Sequence, residues 1–417
     1  MIKIRKLKMS SAFCVIFSMG LIYSFNTIYC AQNLLNVYIV SSLMCFITIV
    51  FSLISRKEYR YNKDKLVFIL LIVMLDYFYI VLRAKSLYGW LILGVVFPMF
   101  IIFVNMDSKN KYISKIFDFF VIIATFMAVI SLVYWIGGSI LNIIQPKEVV
   151  NITWGYSYRI NKYSIFYYTP QFADLNFIGK HIGVRNCSIF AEAPMASAFF
   201  SIALLINEFY VHKVKKVINT VLAITIISTL STTGWIMVIL FLVYKVAKYD
   251  IHSNIGKFFR TIFFCCAIVC CIWLLYSLIS NKLSTGSGID RSYHIAMEWK
   301  SFISNPLIGS GFNKYTNGSS NSLFSLMADG GIILLFLYYM PIIGIIVIDF
   351  VRNKRMNYFM IFFMIIFLIT AIQYTFITVF LIAFSWNIFI DKMCKKYKGS
   401  YDGISERIIK YHCTSLQ

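Results

Sequence analysis

Apolar runs of about 15 to 25 residues recur along the whole chain, separated by polar breaks. Runs of this length match the ~30 Å hydrocarbon core of a bilayer, so each predicts a transmembrane helix. They fall near 11–30, 34–54, 66–82, 88–104, 117–144, 188–207, 217–231, 234–248, 261–279, 322–349, 357–372 and 374–390. Some of these come from dividing longer stretches. Val217–Lys248 is too long for one crossing and is interrupted by Ser231–Gly234 (STTG), while Asn357–Ile390 divides near Gln373, because tilt absorbs only modest excess length. The pattern predicts an all-α polytopic integral membrane protein of about twelve transmembrane helices, a single membrane domain over residues 1–417.

Most of the 39 Lys and Arg fall in the N-terminal run, in the breaks after the second, fourth, sixth, eighth and tenth helices, and in the tail from about 391 to 417. The positive-inside rule assigns these segments, and both termini, to the cytoplasm. Lys3, Arg5, Lys6 and Lys8 ahead of the first apolar run resemble a signal peptide. Tyr29, however, stands where a peptidase needs a small residue, so the run is expected to stay as the first span.

Two long breaks, about 145–187 and 280–321, are then loops on the outer side, expected to contain short amphipathic helices. Loops this long between spans are uncommon unless functional. They hold Lys147, Arg159, Lys162, Lys180 and Arg185 in the first and Lys282, Arg291, Lys300 and Lys314 in the second. Cations on that side of the membrane call for an anionic partner, solvated surface charge being the plainer alternative.

Composition agrees with this picture. With 60% hydrophobic residues, 13% charged residues and a mean hydropathy of +0.77, the chain is no soluble domain. The net charge of +22 is what membrane-edge Lys and Arg produce, and it is not read as nucleic-acid binding. The ten cysteines show no paired CxxC or Cys/His metal spacing, and Cys265, Cys266, Cys270 and Cys271 read as small core residues. No cofactor or metal is expected.

Candidate chemistry lies on the outer side. The longest polar run, Asp290–Gly331, enters an apolar helix with Asp329 still aboard. On a 3.6-residue period Arg291, His294, Glu298 and Ser301 share one face, with Tyr293, Ala296, Met297 and Ile303 opposite. Such a helix would lie on the membrane with its polar face toward a cleft or simply cap the bundle. Pro306 and the glycines of PLIGSGF end it in a tight turn. Upstream, VRNCSIFAEAP (Val184–Pro194) sets Arg185 just outside the sixth helix and Glu192 about one turn within it, where an isolated acid is costly unless paired or wetted.

These segments, in this order, resemble the O-antigen polymerase and ligase superfamily: R-x-C-S-x-F-x-E-x-P opening a middle helix, a Ser/Thr-Gly turn two helices on, an outer loop with R-x(14)-PLIGSGF, and N-S-L-x(5)-A-x-G-G-I entering the next helix. The likeness covers about residues 184 to 348. Where the ligases carry His just before the Asn matching Asn321, this chain has Ser320, which favours the polymerases; the family's Arg is also missing from STTGW (Ser231–Trp235).

The resemblance implies a glycosyltransferase joining undecaprenyl-diphosphate-linked oligosaccharides, among membrane lipids and beside a chain-length regulator protein. Arg185 and Arg291 are the first choices for holding the diphosphate, since Arg gives forked, permanently charged hydrogen bonds to phosphate. Arg159 and Asn321 are further candidates for binding substrate. Glu192, then Asp329, then His294 are candidates for the base that activates the acceptor hydroxyl. A glycan flippase or other transporter is the alternative from another class, with Asp76 of the third helix as its buried acid; ligation is the alternative within the family.

Overall fold

The computed structural model describes residues 2–55, 63–83, 86–106, 111–154, 156–169, 184–211, 215–248, 286–312, 321–349 and 354–394, with isolated positions between 258 and 269. Its helices are α1 (Ile2–Tyr23), α2 (Ile28–Ile54), α3 (Lys63–Arg83) and α4 (Leu87–Met106). There follow α5 (Lys111–Tyr134, continued as a π turn, Trp135–Ile140), α6 (Ala193–Phe209), α7 (Lys216–Ser228) and α8 (Thr232–Lys248). Last come α9 (Gly286–Ser304), α10 (Ser322–Asp349), α11 (Lys354–Ile369) and α12 (Phe376–Cys394). Of the expected spans, 261–279 lies outside the described residues save for those isolated positions; a helix stands at each of the others.

Six of these helices are long and apolar enough to cross a membrane: α2, α3, α4, α5, α10 and α12. The chain is a multi-pass membrane protein. Its exposed surface agrees, for Leu66, Val67, Leu70, Leu71, Met74, Phe78 and Val81 form one exposed apolar side of α3, as lipid rather than water requires. The shorter α6 is central, with every residue but Pro194 buried. Protein surrounds it, so its length need not match the lipid.

Contacts between helix ends sort them into two faces. On one, Ile28 N bonds Ile189 O, Asn186 N bonds Ser228 O, Arg83 reaches Asn305, Ser322 reaches Thr370, and Asp329 meets Tyr374. On the other, Glu208 joins Lys245, Asn219 and Arg355, and Lys65 pairs with Asp391. The first group lies at or near helix ends expected outside and the second at or near helix ends expected inside.

Boundaries shift for local reasons. The first helix ends at Tyr23, where Asn26 takes a positive φ of 44° and Thr27 caps α2 through the Cys30 amide. Asn33 then breaks α2 and re-caps it through the Asn36 amide, so its regular run starts at 34 as the hydropathy suggests. The sixth span begins at Ala193 rather than 188, because Ser188 is left-handed and Pro194 suits a first turn. Glu192, expected a turn inside the helix, is therefore its N-cap.

The larger correction is in the first long loop, where amphipathic helices are expected and an antiparallel sheet stands: β1 (Glu148–Trp154), β2 (Tyr156–Ser164) and β3 (Tyr167–Thr169). VVNITW and YSYRINKYS alternate β-branched and aromatic residues with polar ones, a period of two that a helix does not accommodate. Ile152, Ile160 and Tyr168 cluster on Ile28 and fasten the sheet to the start of α2. Among the described cysteines, Cys14, Cys30, Cys45, Cys187 and Cys394 are buried as expected, whereas Cys265 and Cys266 are exposed.

Candidate functional site

Val184–Pro194 threads between α5, α7 and the α1–α2 turn. Trp135 Nε1 donates to Val184 O at 2.6 Å, and the Asn186 amide donates to Ser131 Oγ at 3.3 Å and Ser228 Oγ at 2.8 Å. Asn186 Oδ1 accepts the Ser188 amide, so this fully buried side chain is satisfied on both ends. The segment is thereby locked beside the Ser/Thr-Gly turn, which Ser197 also reaches through Ser231 Oγ at 3.2 Å. Arg185 and Glu192 flank the lock, both half-buried. They act on one thiol: burial pushes Cys187 up, the Arg185 guanidinium opposes the rise and the Glu192 carboxylate adds to it. Arg185 Nε is enclosed and has no partner among the described residues. Glu192 sits at the positive end of α6 without capping it through its side chain.

The second assembly joins the PLIGSGF turn to α10. Ser310 N bonds Ala328 O and Gly311 N bonds Asp329 O, while Ile332 N and Ile333 N bond Pro306 O and Leu307 O. These bonds need glycine. Gly331 breaks α10 with φ 57°, ψ −147°, and a Cβ there would lie 2.4 Å from Pro306 O; at Gly309, φ 60°, a Cβ would lie 2.4 Å from the Asp329 carbonyl.

Asp329 is 1% exposed. Tyr374 donates to its Oδ2 at 2.6 Å and Tyr79 donates to its carbonyl oxygen at 3.0 Å. It is thus held by tyrosines from two other segments instead of standing in the wet cleft expected of it. Behind it, Glu298 accepts from Ser325 Oγ at 2.8 Å, and Ser301 donates to Ser310 Oγ at 2.8 Å. The polar face of α9 therefore turns inward onto α10.

The remaining expected residues are scattered. His294 is half-buried on α9 beside Tyr293, and Arg291 is a residue of the same helix whose side chain lies outside the described set. Asn321 spends its Oδ1 capping α10 through the Phe324 amide at 2.9 Å. Arg159 is exposed on β2, paired across the ladder with Asn151. The structure gathers Glu192 with Arg185 and gathers Asp329 with the PLIGSGF turn.

It also adds Arg83, which the sequence offers only as the last residue of an ordinary span. Its Nη2 donates to Asn305 Oδ1 at 3.3 Å, and its Nε is enclosed without a partner among the described residues. Its carbonyl oxygen lies 2.9 Å from where a Gly311 Cβ would be, so the turn seats directly on it. Aromatic rings wall this region: Phe312 on Tyr374 at 4.3 Å, Tyr88 on Phe312 at 6.0 Å and Tyr38 on Phe376 at 5.2 Å. Among the described residues no group of three His, Cys, Asp or Glu could hold a metal ion.

No protein-family model, curated protein or solved structure matches the chain.

Proposed function

We propose that this chain is a glycosyltransferase of the bacterial inner membrane that polymerises undecaprenyl-diphosphate-linked oligosaccharide repeats on the periplasmic side, the face holding Arg185, Glu192 and Asp329. One observation carries the reading. The four segments on which the resemblance to O-antigen polymerases rests pair in space on one face, Val184–Pro194 against Ser228–Gly234 and Asn305–Phe312 against Ala328–Ile333.

The chemistry suits the residues. The acceptor hydroxyl oxygen forms a bond to the donor sugar's anomeric carbon, the bond to the diphosphate breaks, and a carboxylate takes the hydroxyl proton. The leaving diphosphate needs cations more than an acid, and Arg185, Arg291 and Arg83 supply permanent charge. Glu192 is the first choice of base, because it stands at the N-terminus of α6, close in sequence to Arg185. Asp329 is second and His294 third. Arg159 on the sheet and Asn321 at the mouth of α10 would meet the glycan. Binding both substrates together makes positioning a large part of the rate.

Deleting the gene and separating surface polysaccharide on gels tests this. Loss of long chains with single-repeat products retained supports polymerisation; loss of all core-attached repeats points to ligation, and an unchanged ladder ends the proposal.

A second reading, a lipid-linked-glycan carrier, rests on Asp76, fully buried in α3 with no partner for either carboxylate oxygen among the described residues. An Asp76→Asn variant that accumulates repeats on the cytoplasmic side would favour it.

A further inference from the structure

The outer face of α9 is apolar and the inner one polar, the reverse of a water-soluble surface helix. Glu298 and Ser301 are 2% and 4% exposed, whereas Tyr293 and Ile303 are each 61% exposed and Trp299 is 46% exposed. Ala296 completes this exposed side, on which Ser292, Lys300 and Ser304 are exposed as well.

A polar surface buried on α10 with large apolar side chains turned out has no favourable arrangement in water. It has one at a bilayer surface. Trp and Tyr concentrate where the headgroups meet the acyl chains, and a Lys at the margin extends its ammonium to the headgroups.

We infer that α9 is embedded in the outer leaflet, its Tyr293–Trp299–Ile303 side against acyl chains, although it lies in a loop and is not among the membrane-spanning helices. Continuity with a lipid-facing surface selects this occupant. Leu307, 66% exposed, follows α9, and its carbonyl oxygen accepts the amide of Ile333. The exposed Ile332 and Phe336 adjoin it, and Ile343 and Val347 extend the same side of α10, itself long and apolar enough to span. One apolar surface thus runs from Tyr293 down to Val347. Behind it stand Glu298, Ser301, Ser310 and Asp329, so α9 with its turn forms the wall between the lipid and the polar interior. This inference holds whatever reaction the protein performs.

The test uses the intact wild-type chain in liposomes of phosphatidylcholine bearing a photoactivatable diazirine in mid-acyl position. After irradiation, digestion and mass spectrometry, cross-links are expected on Tyr293, Trp299, Ile303 and Leu307 at a level comparable with Ile332–Val347, and not on Glu298 or Ser301. Labelling confined to Ile332–Val347, with none on residues 293–307, would overturn the proposal. An Ile303→Lys variant, which leaves the buried side untouched, is expected to lose the lipid adduct on Trp299; unchanged labelling of Trp299 in that variant would count against an embedded helix.

Discussion

Tyr374 Oη stands 2.6 Å from Oδ2 of Asp329, a hydrogen bond that joins the turn before α12 to the first half of α10. Tyr79 of α3 holds the carbonyl oxygen of the same aspartate, so one buried residue ties three helices together. Replacing Tyr374 by Phe removes the donor and keeps the ring that packs on Phe312. Losing this donor to a buried carboxylate is expected to cost about 1–3 kcal/mol, read as a lower unfolding temperature in detergent. A smaller loss in Tyr374→Phe combined with Asp329→Asn than the two single losses added together would confirm the coupling, and additive losses would refute it.

Gly309 and Gly331 are expected to resist any side chain. Each has a positive φ and backbone within 2.4 Å of the Cβ position, so Gly309→Ala or Gly331→Ala strains the turn by roughly 1–3 kcal/mol or more. Gly94→Ala is the control, because its nearest neighbour is a Trp90 ring carbon at 3.1 Å and no positive φ is involved. Expression and thermal stability of the three variants decide the matter; equal behaviour would show that the turn does not need glycine.

The opposite face has its own staple. Glu208 is 4% exposed and accepts from Lys245 at 2.5 Å and from Asn219 at 3.0 Å, while Arg355 donates to its carbonyl oxygen. Lys245 is 37% exposed, which discounts the pair, so Lys245→Ala is expected to cost about 1–2 kcal/mol, below the range for a wholly buried pair. Adding Glu208→Gln to Lys245→Ala should recover part of the loss in a thermal melt. No recovery would mean that the lysine acts through its packing on Phe241.

The functional residues make a separate set of expectations. Arg185→Ala and Arg83→Ala should each abolish long chains in cells at normal protein level, with Lys rescuing partly because an ammonium keeps the charge and loses the fork. Glu192→Gln should still bind the lipid-linked unit without extending it. Polymer of ordinary length from Glu192→Gln would move the base to Asp329, and full-length chains from Arg83→Ala would return Arg83 to a purely structural part, as the anchor of Asn305.

Much of this architecture was legible because a bilayer forces each span to satisfy its backbone internally, so an apolar run of the right length has little choice but to be a helix. Hydropathy alone therefore located the described spans, and the breaks at 229–231 and 370–375 stand where Ser231–Gly234 and Gln373 suggested. The phase of α9 was equally readable, since His294, Glu298 and Ser301 recur at helical spacing. The strands from Glu148 to Thr169 were written in their period-two alternation but were hidden by treating the loop as a length.

Other features had no local sign. Arg83 looks like any cation closing a span, and its partner Asn305 lies 222 positions away; Tyr374 and Asp329 are 45 apart. The direction in which the polar side of α9 faces was equally unwritten, for an amphipathic helix specifies that its two sides differ and leaves open which one meets protein. Such pairings depend on how α3, α10 and α12 pack, and packing is a property of surfaces brought together from distant segments. Sequence alone determined where the apolar helices stand, because hydropathy and length are local; the tertiary structure decided which polar groups share a site.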